Sequence, residues 1–363
     1  MKIFFDAKIL SLQPRGGISR LVFELTKSFS EIKELEKIFY RGLYIDQYPF
    51  KKEWFKKYYG IRVPAFFDSR FVSFLDNMGA EMAYKFNASS DLIYHSFYHR
   101  IPKNPKGPVV VHVYDMIQEL FYNSTKTIKF KKKSFDAADL IISISESTKK
   151  DLCELYPIDP KKVIVAYSGV NEVFLKDRIS TKRANKRPYM LYIGSRSYSY
   201  KNFDLLLNTF IDKKYFFDFD LILAGGEKNL APEQKEKIKN TVKQGSWLLQ
   251  EFCDDEKLAD LYSDASVFIY PSLYEGFGIP PLEAMARGCP VVASNVSSIP
   301  EVVGDAGLLF NPKDSDDLAQ KIEMIINNKS TALNLIEKGK IRAKQFTWNA
   351  SADTIYQGYL KLI

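Results

Sequence analysis

The stretch Tyr270–Ser294 reads YPSLYEGFGIPPLEAMARGCPVVAS, and it sets two glutamates, Glu275 and Glu283, around a glycine pair and a proline pair. The run leading into it, ASVFIYPS, has the length and the β-branched and aromatic content of a buried strand, and CPVVAS at its end has the same character. Strand, loop, short helix and strand in that order is the pattern of a parallel sheet covered on both faces. Pro280 or Pro281 suits a first helical turn, where a missing N–H costs nothing, and Gly288 suits the left-handed residue that ends a helix. Glu283 therefore falls in the first turn. Gly276 and Gly278 let backbone approach a ligand closely, and a helix start offers unpaired N–H groups and a partial positive charge suited to phosphate. A carboxylate there can accept hydrogen bonds from hydroxyls. Taken alone, the spacing equally fits a Glu283 that complements the helix dipole and a solvated Glu275.

Outward from this stretch the strand-helix alternation continues in both directions. KIFF at the start, DLIYH near 93, VVVHVYD near 112, LIISIS near 143 and KVIVAY near 165 form a first series. YMLYIGS, FDLILAGG, ASVFIYPS, CPVVAS and GLLFNP form a second. Between them Lys176–Pro188, KDRISTKRANKRP, is basic, lacks an apolar period and ends in Pro, as an interdomain linker would. A chain of 363 residues exceeds the length at which one core stops growing, so two doubly wound α/β domains are expected, with ligands outside the carboxyl ends of the strands. Ile355, Tyr359, Leu360 and Ile363 have helical spacing in the last segment.

Composition narrows the function. Three scattered cysteines support neither a disulfide framework nor a metal cluster, and they fit a reducing cytoplasm. His95 and His99 have the spacing of some zinc helices, but no Glu stands between them to act as a base. No metal is expected. Lys and Arg exceed Asp and Glu by 52 to 44, a net charge of +8, which favours anionic partners, yet no nucleic-acid recognition motif accompanies it. No run reaches the roughly 18 apolar residues of a membrane span, so a soluble or peripheral protein is expected.

The stretch that opens this section, together with its neighbours, resembles the retaining glycosyltransferases of family 4, which have the GT-B architecture of two Rossmann-like domains facing across a cleft. The resemblance rests on Pro271-Ser272, Glu275 to Gly278, Pro280 and Glu283 to Gly288, and it extends over nearly the whole chain. It implies an N-terminal acceptor-side domain over 1–175, a linker over 176–188, a C-terminal nucleotide-sugar domain over 189–345, and a helix over 346–363 that returns to the first domain. It further implies that Glu283 holds the ribose hydroxyls of the donor and that Glu275, with the Gly276, Phe277, Gly278 and Ile279 backbone, meets the transferred sugar. Lys201 and Arg196, in YIGSRSYSYKNFDLL, stand where two cations could clamp a diphosphate and offset charge on the leaving group.

The same resemblance puts Phe252 beside the nucleotide base and Gly17, in QPRGGISRL, on the donor. It puts Asp115 near the reacting centre. The family's His-Asp pair falls here on Tyr114-Asp115, with His112 two residues earlier on the same face; Tyr114 could bond a sugar hydroxyl but not titrate as an imidazole does, and His112 either compensates or is a buried structural residue. His95 matches a segment lining the acceptor side, where a satisfied core residue is the competing reading. Asp218 with Asp220, and Asp314 with Asp316, have Asp-x-Asp spacing, but the first opens a strand and the second reads as a helix cap, so neither is taken as a metal site.

The activity so implied is transfer of a sugar, mannose from a guanosine donor being favoured, from a nucleotide diphosphate to a glycan or lipid-linked acceptor. The expected setting is bacterial cell-surface polysaccharide synthesis, with retention of configuration and no cofactor. The alternatives are a sugar-nucleotide epimerase, a phosphorylase or a noncatalytic nucleotide-sugar binder. Two basic aromatic patches, FKKEWFKKYYG from Phe50 and KTIKFKKKSF from Lys126, suggest docking on an anionic membrane from the cytoplasmic side, with Trp54 entering the interface; a solvated basic face with inward aromatics is the competing reading.

Overall fold

The computed structural model describes residues 1–64, 69–176, 187–226, 229–241, 247–251 and 253–363. The chain divides into two units, Met1–Gly169 with Thr347–Ile363, and Val170–Phe346. The first division falls ahead of the expected one at residue 175. The short helix Glu172–Leu175 belongs to the second unit because Phe174, fully buried, packs edge-on to Tyr262 with ring centroids 5.9 Å apart. Of the expected linker, 177–186 lie outside the described residues.

Seven parallel strands form the first sheet: β1 (Lys2–Asp6), β2 (Glu36–Tyr44), β3 (Lys57–Arg62), β4 (Leu92–Ser96), β5 (Val109–Val113), β6 (Leu140–Ser143) and β7 (Val163–Val165), in the order β3-β2-β1-β4-β5-β6-β7. The strands near its centre read as continuous apolar runs because both faces are covered, by α1 (Gly17–Glu31), α2 (Ser69–Asn87), α3 (Thr125–Asp136) and α4 (Glu146–Leu155) among others. Ser145 caps α4, accepting from the Thr148 N–H at 2.9 Å.

Neither β2 nor β3 stood out in the sequence. The patch FKKEWFKKYYG runs into β3, the edge strand, and its rings turn inward: Trp54 packs on Phe23 of α1 at 5.8 Å, and Phe55 stacks on Phe39 of β2 at 4.5 Å. Phe55 is buried and Trp54 half-buried, so the Trp54 ring packs within the unit, as the competing reading of inward aromatics expects.

The second sheet has six parallel strands, β8 (Tyr189–Ile193), β9 (Asp220–Ala224), β10 (Leu248–Glu251), β11 (Val267–Tyr270), β12 (Val291–Ser294) and β13 (Leu308–Phe310), in the order β10-β9-β8-β11-β12-β13. The helices of this unit are α5 (Glu172–Leu175), α6 (Phe203–Asp212), α7 (Pro232–Thr241), α8 (Asp255–Asp264), α9 (Ile279–Ala286), α10 (Ile299–Val303), α11 (Ser315–Ile326) and α12 (Lys329–Ala343). Met190, Leu206, Phe210, Leu223, Ile269 and Ile322 are among the buried residues of its core. Asp314 caps α11 through the N–H groups of Asp316 and Asp317, which occupies one Asp-x-Asp pair.

The last helix, α13 (Trp348–Leu360), belongs to the first unit. Ile355 and Tyr359 are fully buried and Tyr359 stacks on Phe29 of α1, while Leu360 and Ile363 stay exposed, so only half of the expected apolar stripe is used. Gly358 allows the contact: a Cβ there would stand 2.7 Å from Ile164 and 2.9 Å from Leu140.

Candidate active site

In the second unit the site is built where β8 and β11, neighbours at the middle of the sheet, end side by side. A short 3-10 turn, Ser199–Lys201, follows β8, and Asn202 adopts a left-handed φ of 54°. That conformation aims its amide at two carbonyls, Pro271 O at 3.0 Å and Pro312 O at 2.9 Å, and the Leu273 N–H donates to Tyr200 O at 2.7 Å. The two loops are stitched together, and Lys201 is carried to the Glu275 carboxylate at 2.6 Å.

Glu275 is held from three sides. The Ser272 hydroxyl donates to the same carboxylate oxygen at 2.6 Å, the Glu275 N–H donates to Ser297 Oγ at 3.0 Å, and the Ser298 hydroxyl donates to the carbonyls of Glu275 and Phe277 at 2.8 and 2.6 Å. The Lys201 and Glu275 side chains keep 17% and 11% of their surface, enough for a ligand to reach an otherwise buried ion pair. Burial first, and the Glu275 charge second, raise the Tyr270 phenol well above its usual range, so Tyr270 stays protonated and bonds the Glu275 carboxylate.

Gly278 has φ 121° and ends the loop at the N-terminus of α9, a backbone that a side chain would strain. Proline in the first turn and the absence of a side-chain cap leave the helix start open. Because α9 begins at Ile279, Glu283 falls one turn further in than the expected first turn; it is buried, and the Tyr262 hydroxyl of α8 donates to its Oε2 at 3.1 Å. Burial and the adjacent carboxylate push the Tyr262 phenol well up, which keeps it a donor. A carboxylate oxygen has capacity for further donors, so the arrangement orients Glu283 and can still accept a pair of hydroxyls.

Arg196 lies beside this site with its guanidinium turned to backbone, donating from Nη1 to Gly225 O at 2.5 Å and Gly194 O at 3.3 Å. Gly226 explains the close approach, since a Cβ there would meet Gly194 O at 2.3 Å. Of the two cations expected at a diphosphate, Lys201 stands in the ion pair with Glu275, whereas Arg196 fastens the loop after β8 to the loop after β9. Phe252 lies outside the described residues.

In the first unit, Gly17 opens α1, and nothing lies within 4 Å of a Cβ built there, so its position is open space. Asp115, half-buried at the end of β5, accepts from the Ile117 N–H at 3.0 Å, and its carbonyl accepts from Lys131 at 2.8 Å. Ile18, Tyr114, Asp115 and Lys131 help to line a cavity of about 120 Å³, which brings the start of α1 and Asp115 to one place.

His95, His112 and Tyr114 differ from the expectation that they meet an acceptor directly. His95 is wholly buried between Tyr359, whose hydroxyl bonds its Nδ1, and His112, whose Nδ1 lies 2.8 Å from its Nε2. Burial pushes His112 down to about 3 and His95 well below its usual value, so the pair is neutral. The Tyr114 hydroxyl is committed to Phe97 O at 2.6 Å, although the residue lines the small cavity. The sheet interior, closed by α13, encloses these groups.

Ser297, Ser298, Asn202 and Tyr262 are site residues that sequence reasoning missed. Each acts across segments far apart in the chain; only Asn202, beside the lysine of the motif, had a local signal.

A twin parallel-sheet chain with a carboxylate-lysine pair and a glycine-started helix at the strand ends defines the GT-B class of nucleotide-sugar enzymes. A model described as "Glycosyltransferase Family 4" matches residues 15–173, and one described as "Glycosyl transferases group 1" matches 173–342. The chain belongs to glycosyltransferase family 4. The O-antigen chain mannosyltransferase B of Escherichia coli is 29% identical over 98% of each chain. Among solved structures, sucrose-phosphate synthase of Thermosynechococcus elongatus superposes with a TM-score of 0.75 at 20% identity over 99% of this chain and 98% of that one. Anabaena HepE in complex with UDP and glucose does so with a TM-score of 0.72 at 16% identity over 99% of each chain.

Proposed function

We propose that the chain transfers mannose, with retention, from GDP-mannose to a glycan or lipid-linked saccharide in the synthesis of a bacterial surface polysaccharide. The observation that carries the reading is the Lys201–Glu275 pair, 2.6 Å apart beside the open start of α9. In this reading the diphosphate lies at that helix start, Lys201 offsets the charge that develops as it leaves, and Glu275 with the Phe277 and Gly278 backbone orients the sugar. Glu283, steadied by Tyr262, takes the ribose hydroxyls. Gly17 and Asp115 are the first unit's candidate contacts.

Retention without a carboxylate nucleophile calls for front-face attack through an oxocarbenium-like state, the donor phosphate drawing the acceptor proton, so positioning and electrostatics dominate. We propose further that no metal takes part, since Lys201 is the cation at the leaving group, Asp314 caps α11 and Asp220 pairs with Arg187 at 3.3 Å. The 29% likeness to an O-antigen chain mannosyltransferase supports mannose as the sugar and a surface polysaccharide as the product; that the acceptor is met on the cytoplasmic side of a membrane is part of the proposal.

A thermal-shift panel of GDP-mannose, UDP-glucose and ADP-glucose, followed by transfer assays with and without a chelator, tests this. GDP-mannose should raise the melting temperature most, because a ligand that binds only the folded state stabilises it with concentration, and the product should keep the α linkage with chelator present. A response to uridine donors alone would replace the donor, and no response to any would remove the donor site from this loop.

A further inference from the structure

Helix α2 carries apolar residues on both its inward and its outward side. Its inward side carries Asp76, which accepts from Arg100 at 2.6 Å, from the Leu43 N–H at 3.0 Å and from Lys8 at 3.4 Å, with Ala80, Ala83 and Tyr84 beside it. Its outward side carries Phe74, Met78, Met82 and Phe86, exposed to 60%, 49%, 55% and 79%. These four recur every fourth residue, so they form one stripe along the helix. Arg100 also pairs with Asp6, at 2.6 Å, so a buried ion network anchors the helix and leaves its outward stripe to solvent.

That stripe is continuous with a groove of about 530 Å³ in which Phe74, Met78 and Met82 meet Phe130 of α3, 43% exposed, with Lys103 and Lys133 on the rim. Lys85 of α2, Lys129 of α3 and Lys106 of the loop between β4 and β5 are exposed, and Glu81, 3.9 Å from Lys85, is the one carboxylate among the groove's lining residues. An apolar strip with a cationic border has the pattern of a surface that enters the headgroup region of an anionic bilayer. A second copy packed face to face would set these lysines against one another. No helix among the described residues is long and apolar enough to cross a membrane.

We propose that the outer face of α2, with Phe130 and the lysines around it, docks the first unit on an anionic lipid bilayer, Met78 and Met82 entering the interface. The purpose of this surface rests on the membrane-side acceptor of the proposed function, but its test does not use the reaction. Of the two patches that the sequence suggested, this surface takes in the second, KTIKFKKKSF, through Lys129, Phe130 and Lys133, and leaves out the Trp54 patch, whose rings pack on Phe23 and Phe39.

Flotation of the full chain with phosphatidylcholine vesicles, with and without phosphatidylglycerol, is the test. The chain should float with the anionic vesicles and be released by high salt. Met78→Asp, and separately Lys103→Glu with Lys133→Glu, should each lower the bound fraction by about tenfold or more. These positions are exposed, so circular dichroism and the thermal shift with GDP should match the parent. Equal binding by the variants, equal binding to uncharged vesicles, or no flotation of the parent would overturn the proposal. So would a dimer in sedimentation that Met78→Asp dissociates, since the face would then belong to a second copy. Transfer to a soluble acceptor reports separately on the reaction.

Discussion

Lys201 has three ammonium protons, and Glu275 receives one of them at 2.6 Å. Replacing it with Ala leaves a largely buried carboxylate held only by the Ser272 and Tyr270 hydroxyls and removes the cation from the leaving group. The expected outcome for Lys201→Ala is a fall in kcat of about 10²–10³ with a smaller change in KM, measured by steady-state transfer kinetics. Tyr262 has a different part: its hydroxyl only orients Glu283, at 3.1 Å. Tyr262→Phe should weaken GDP binding severalfold in calorimetry and destabilise the second unit by about 1.5–3 kcal/mol, the worth of a hydrogen bond to a charged group. Its kcat should stay near the parent's. The glutamates and Lys201 were singled out in the sequence by their likeness to the family's motif, the spacing alone leaving a dipole-complementing or solvated acid equally open. Tyr262 and Ser298 were not, because their roles arise only when α8 and the segment before α10 fold against the loop.

At the scale of elements, legibility followed the burial pattern. The strands of YMLYIGS and VVVHVYD are covered on both faces and read as apolar runs, whereas β3 is an edge strand with Lys57 and Arg62 exposed, a composition that blunts an edge and hides the strand. Helix α2 escaped notice because apolar residues lie on both of its sides, Val72, Ala80, Ala83 and Tyr84 buried and Phe74, Met78, Met82 and Phe86 exposed, which leaves no single apolar stripe to read. The docking of α13 also depends on a feature that sequence periodicity does not show. Gly169 sits where a Cβ would be 2.4 Å from Trp348 N and 2.7 Å from Thr347 C, both backbone atoms that have nowhere to go. Gly169→Ala should push the first turn of α13 off the first unit, at the roughly 1–3 kcal/mol typical of overpacking. Differential scanning calorimetry should show a drop of about 2–4 °C per kcal/mol in that unit's transition, the other unit's being unmoved.

Across the whole molecule the titrating groups are divided unevenly. All three histidines lie in the first unit, and burial pushes His99 and His112 to about 3, with His95 also well below its usual value. Their pKa values in the folded state are therefore below the roughly 6.5 of an unfolded chain, and the unfolded state binds more protons between those limits. The stability they lend is whole above about pH 6.5 and is lost as pH falls toward about 3. Lowering the pH from 7.5 to 5.5 lies above the range in which exposed carboxylates titrate, so it isolates the histidines. The first unit's calorimetric transition should move down over that interval, while the second unit's, with no histidine, should hold. A first-unit transition that stayed fixed would mean that the rings can take up protons while still folded. The chain that links His95 to His112 and to Tyr359 of α13 would then be a proton-accepting pair and not a neutral one.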